Sequence, residues 1–133
     1  MFKLIKILNS GVNVPEPVSV KKSPDTLIKL GSALVVEDGS ARYAAATEKP
    51  THVSLCEAGI GKDSLAAYEV FSNMLFEAPV FANPTGITVG SKLTLHVDGE
   101  AAIGLTSITA GGVATVVDCS EALLEGDKIT VKF

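Results

Sequence analysis

The spacing of short alternating segments constrains this chain more than any other feature. The clearest segment is the last, Asp127-Lys-Ile-Thr-Val-Lys-Phe133, where Ile129, Val131 and Phe133 share one parity and Lys128, Thr130 and Lys132 take the other. An extended backbone puts every second side chain on the same side, so this pattern describes a strand with one buried and one wet face. Three comparable segments precede it, at residues 92–97, 100–109 and 113–119, with Asp98-Gly99 and Gly111-Gly112 expected as the hairpin turns. Together they make residues 89–133 the part of the chain whose folding is most plainly written.

The middle of the chain follows the same rhythm. A strand is expected over residues 27–36 with Gly31 inside it, then a turn at Glu37-Asp38-Gly39-Ser40, a return over 42–46 and a strand over 52–57. Strands of about five residues at intervals of roughly 8–12 indicate a sandwich or barrel. Residues 59–84 admit two descriptions. Ser64 could cap a helix in which Leu65, Tyr68, Phe71 and Leu75 recur at helical spacing. The preferred description is two strands, 66–71 and 74–80, around a tight turn at Ser72-Asn73, because Pro79 must end any helix and Tyr, Val and Phe favour β structure. Asn83-Pro84-Thr85-Gly86 is a turn signal, and residues 121–125 could form one helical turn.

At the other end, residues 2–8 suggest a short strand interrupted by Lys3 and Lys6, as on a sheet edge. Prolines at 15, 17 and 24 then forbid a helix and favour an extended segment that is too apolar for a plain linker. The expected organisation is an extended N-terminal arm over residues 1–25 and a β-domain over 26–133. The fold class is all-β: a small sandwich or barrel of short antiparallel strands, with at most one or two short helices. The arm is the expected partner-binding element, through Phe2, Leu4, Ile5, Ile7, Val12, Val14, Pro15 and Pro17.

At 133 residues the expectation is one domain with its own core. The chain is 47% hydrophobic and 20% charged, which argues against disorder. A net charge of −4 without a basic stripe argues against nucleic acid, and the Lys21-Lys22 pair is expected to keep a linker soluble. No apolar run approaches the ~20 residues that span a bilayer, and Lys6 interrupts the apolar start, so neither a membrane span nor a signal peptide is expected. Cys56 and Cys119 fit no CxxC spacing and are expected as buried free thiols, with a disulfide the alternative in an oxidising compartment.

Candidate chemistry fails on residue type and spacing. In Gly59-Ile-Gly61-Lys62-Asp63-Ser64, Cys56 stands where a phosphate loop needs its first glycine, and Asp63 stands where it needs a hydroxyl. The two histidines, His52 and His96, lack a carboxylate at metal-site spacing and are expected on polar strand faces. Asp38, Asp98, Asp118 and Asp127 suit turns, which use carboxylates to hold backbone amides. Ser54 beside His52 is strand alternation, and no G-x-S-x-G elbow occurs. No catalytic residue, cofactor or metal is expected.

Several segments together resemble a family. Phe2-Lys-Leu-Ile-Lys-Ile7, Asn13-Val-Pro-Glu-Pro17, the Gly31-Ser-Ala-Leu-Val35 segment, Lys49-Pro-Thr51, Phe76-Glu-Ala-Pro79 and Val89-Gly-Ser-Lys-Leu-Thr-Leu95 are similar to capsid decoration (cement) proteins of tailed bacteriophages and prophages. So are Gly112-Val-Ala-Thr-Val-Val-Asp118 and Gly126-Asp-Lys-Ile-Thr-Val131. The resemblance implies a non-enzymatic β-protein, made in the host cytoplasm, that binds the outer surface of the assembled head. Its partners would be the major capsid protein and neighbouring copies of itself in a small homo-oligomer. A carbohydrate- or host-surface-binding β-module is the alternative, although such sites usually present an exposed aromatic platform.

Overall fold

The computed structural model describes residues 1–8 and 15–133. The chain is all-β, with no helix among the described residues. Five strands, β2 (Val18–Lys22), β3 (Ala33–Glu37), β4 (Ser40–Tyr43), β5 (His52–Ser54) and β6 (Ser64–Glu69), close a barrel in the order β2-β4-β3-β5-β6. The others form a sheet. β7 (Met74–Phe81), β8 (Lys92–Leu93), β9 (Leu95–Asp98), β10 (Ala101–Thr106), β11 (Ala114–Asp118) and β12 (Lys128–Lys132) run in the order β8-β11-β12-β7-β10-β9, and β1 (Lys3–Ile7) also pairs with β7.

The barrel and the sheet share a wall. Ala33 and Val35 of β3 belong to the larger core, with Phe76, Leu93, Leu105 and Val131 from the sheet. Leu34 and Val36 point the other way, into the barrel, with Val20, Ile28, Leu65 and Ala67. A strand wet on one face would alternate apolar with polar. β3 is apolar over four successive residues because both faces are covered.

β7 is the hub of the sheet. It pairs with β12 along one edge, and with β1 and then β10 along the other. Proline within a strand normally costs a ladder hydrogen bond. Val80 N–H donates to Asp127 O on the β12 side at 2.9 Å, so the nitrogen of Pro79 lies toward the opposite edge. There the β1 register ends at Glu77 and that of β10 begins at Val80, so the missing N–H falls in a gap.

Residues 64–81 are strands, as preferred, and the turn at 71–74 is closed by Met74 N–H to Phe71 O at 3.1 Å. It passes the chain from barrel to sheet, since β6 and β7 do not pair. The hairpin expected at Asp98-Gly99 does form between β9 and β10, one residue on: Asp98 pairs with Ala101, and Gly99-Glu100 make the turn. Gly111-Gly112 is not, because β11 pairs with β8 and β12 instead of β10. A Cβ on Gly112 would meet the Lys92 carbonyl carbon at 2.6 Å, so this glycine lets the chain cross close over β8. Two pairings, β2 with β4 and β7 with β10, are parallel, contrary to a wholly antiparallel expectation; in each, other strands intervene in sequence. The strand expected over 92–97 is split at Thr94, where the chain changes partner from β11 to β10. The strand expected from residue 27 starts only at Ala33: Gly31, at φ +70°, turns the chain and offers its carbonyl to Phe2 N–H at 2.7 Å. Residues 121–125 contain no helical turn.

The N-terminal arm also needs correcting. Residues 3–7 are β1 of the sheet and 18–22 are β2 of the barrel, so most of the described part of 1–25 is integral to the fold. Phe2 is 2% exposed, and its ring stands edge-on to Phe133 at 5.5 Å, with Phe133 in turn 5.5 Å from Phe76. The reason is packing: the apolar parity of this end completes the core formed by the other end. Phe2→Ala should therefore destabilise the isolated chain by about 3–5 kcal/mol in urea unfolding, the usual cost of emptying a buried phenylalanine site. A change below about 0.5 kcal/mol would return Phe2 to a free arm.

Candidate functional site

Both histidines, Ser54 and Asp127, all singled out for chemistry, make structural contacts. His52 Nδ1 lies 2.8 Å from Thr51 Oγ1, and His52 sits opposite Glu69 on β6. Burial lowers its pKa below the ordinary value, outweighing the pull of Glu69 in the other direction. His96 belongs to a different sheet and stacks on Phe81, with ring centroids 4.3 Å apart. Gly104 opposite His96 makes room for that pair, since a Cβ there would come within 2.5 Å of Phe81 Cε2. Among the described residues, no group of three His, Cys, Asp or Glu side chains could hold a metal ion.

Ser54 Oγ donates to Lys29 O at 2.6 Å and accepts from Ser32 N–H at 2.9 Å, so it ties the Gly31 turn to β5. Asp127 behaves as a turn carboxylate, accepting from Leu124 N–H at 2.9 Å, whereas Asp118 stands on a strand. Cys56 and Cys119 are free and half-buried instead of buried; one packs on the barrel interior and the other on the larger core.

The loop over residues 59–64 is built opposite to a phosphate cradle. Lys22, 3% exposed, directs its ammonium at three backbone carbonyls: Lys62 O at 2.7 Å, Ser23 O at 2.8 Å and Gly59 O at 3.2 Å. Phosphate needs converging N–H groups, and here oxygens converge on a cation. Strand parity separates the Lys21-Lys22 pair. Lys21 stays exposed, while Lys22 seals the barrel end, so the pair is not the soluble linker expected. Lys22→Met should cost about 2–4 kcal/mol, because it leaves buried carbonyls without a donor. Lys21→Met should lie within about 0.5 kcal/mol of the parent. Equal losses in chemical denaturation would refute the seal.

An open cleft of about 520 Å³ separates the β3–β4 turn from the β9–β10 hairpin, lined by Ile28, Glu37, Arg42, Tyr43, Val97 and Glu100 among others. Arg42 and Tyr43 are its engaged polar groups. Arg42 binds Glu37 at 2.9 Å and Glu48 at 2.7 Å, which holds the Glu48 carboxyl down at about 2. Tyr43 Oη donates to Leu27 O at 2.8 Å and accepts from Lys29 N–H at 3.0 Å. No buried side-chain N or O among the described residues lacks a partner.

The expected partner-binding residues are only partly available. Phe2 is in the core, Leu4 and Ile7 pack partly against it, and Val12 and Val14 lie outside the described residues. Ile5 and Pro17 are exposed and Pro15 is half-buried. Ile5 joins Met1, Leu4, Leu30, Leu55 and Tyr68 along an apolar groove of about 260 Å³ between β1 and the barrel. The sequence signalled the apolar character of this end, but not which side chains its pairing with β7 would cover.

No family model matches the chain, and no curated protein sequence does. The fold is similar to that of the N base of head fiber gp8.5 in bacteriophage phi29, with a TM-score of 0.54 and 17% identity. The match covers 88% of this chain and 92% of that one. At that identity the likeness is one of fold, and it extends over nearly the whole of both chains.

The His52 shift has a measurable consequence. The fold prefers the neutral imidazole, so the unfolded chain binds the proton more readily, and stability should fall as pH drops through the ordinary value near 6.5. The loss should level off below the lowered folded value. His52→Gln should remove this component, read as a smaller difference in urea midpoint between about pH 8 and about pH 5. An unchanged difference would mean that His52 does not carry it.

Proposed function

We propose that this chain is a non-enzymatic structural protein of a tailed-phage or prophage head. In this reading it binds the outside of the assembled capsid, stabilises the major capsid protein lattice and contacts neighbouring copies of itself. The observation that carries the reading is the fold likeness, over nearly the full length of both chains, to a phage head fiber base. The dispersed sequence resemblance to decoration proteins points the same way. Support for a non-enzymatic role comes from the chemical candidates, whose polar atoms are engaged in holding turns and strands. Of the N-terminal residues, Ile5, Pro15 and Pro17 would be the ones offered to a partner.

The fiber character of that neighbour favours one second reading, a base that serves surface or carbohydrate binding. Sedimentation of the purified chain with undecorated heads, against pelleted controls, separates the two. Saturable co-sedimentation together with heads that resist a higher temperature before opening is the expected outcome. Binding without any gain in head stability would favour the base, and no binding would reject the capsid role.

A further inference from the structure

Strand register gathers lysines that are far apart in sequence onto one surface. On the outward face of β8-β11-β12-β7-β1, Lys92 pairs with Thr115, and Thr115 with Lys132, forming one cross-strand row. Lys6 pairs with Leu75, next to Phe76, which faces Val131 of β12; this brings Lys6 toward the same end of the face. The next row is Asp118, Thr130, Glu77 and Lys3, and beyond it Lys128 pairs with Pro79 and bridges to Glu77 at 3.3 Å. All five lysines are exposed, while the alternate residues of these strands, such as Phe76, Ile129 and Val131, face the core.

The charge is polarised as a result. This face holds five of the chain's 11 basic side chains and two of its 15 acidic ones, a net of +3 against −4 for the whole, so the remainder carries −7. The surface measures roughly 20 Å across five strands and about 14 Å along them. Its cations are all lysines, and no aromatic ring stands in these rows; the Phe81–His96 pair lies beyond Pro79, with its two rings stacked on each other. Glu77 and Asp118 stand within the face, which disfavours a continuous polyanion such as nucleic acid or an anionic bilayer and suits a surface with charges of both signs.

We propose that this sheet face is the docking surface for an acidic protein surface. Under the head-protein reading above, on which the proposal rests, that surface belongs to the outer side of the shell. A face of these dimensions buries less than a stable pairwise complex needs, so occupancy depends on repetition over a lattice.

The test compares the chain with two triple variants of equal net charge. One carries Lys6→Glu, Lys92→Glu and Lys132→Glu on the face; the other carries Lys21→Glu, Lys49→Glu and Lys62→Glu elsewhere. Circular dichroism and thermal melts establish that both fold. Each is titrated against undecorated heads, duplex DNA, and vesicles of phosphatidylserine and phosphatidylcholine. The expected result is head binding that weakens with added salt, falls at least tenfold in the face variant and stays within threefold of the parent in the control. Equal head binding by the parent and both variants overturns the docking face while leaving the head-protein reading intact. Binding to DNA or vesicles through the same lysines, without head binding, overturns the protein partner. Absence of all binding overturns both readings.

Discussion

The structure depends on burying one strand from both sides. β3 sends Leu34 and Val36 into the barrel and Ala33 and Val35 into the core beneath the sheet, so neither unit is closed without it. Ser32, just ahead of it, is fully buried; its N–H is held by Ser54 Oγ and its hydroxyl by Lys29 O. A two-sided strand also limits what can pack on it. Both cores use small residues such as Ala41, Ala44, Ala67 and Ala102 where strands approach closely, which accounts for an apolar chain with few aromatic residues.

The large side chains concentrate where the two chain ends meet. Phe2, Phe76 and Phe133 form a contiguous aromatic set joining β1, β7 and the residue after β12. This arrangement makes the N-terminal segment structural and leaves few of its large apolar side chains exposed, Ile5 among them. It also explains why β7 is the longest strand: it must serve β12 along one edge and two successive partners along the other.

Lysine placement follows the same parity rule with opposite outcomes. Lys22 falls on the inward parity of β2 at the barrel end, where three carbonyls compensate for its lost hydration. Lys3, Lys92, Lys128 and Lys132 fall on outward parities and remain wet. The buried charge ties the 59–62 loop to the barrel end, while the exposed charges stay hydrated.

The sequence by itself determined local conformation. Alternation in residues 127–133, the glycine turns and the prolines were enough to favour strands over a helix, to place most strands within a few residues and to dismiss a phosphate loop. Those signals depend on φ/ψ preferences and on the two-residue period, which act between neighbours. Tertiary structure alone decided which strands pair. Gly111-Gly112 and the turn at 71–74 carry hairpin chemistry but join strands that do not pair with each other, because long-range burial, not the turn, selects the partner. The same reason hid the basic face: its lysines lie at residues 3, 6, 92, 128 and 132, and only the pairing of β1, β7, β12, β11 and β8 makes them neighbours.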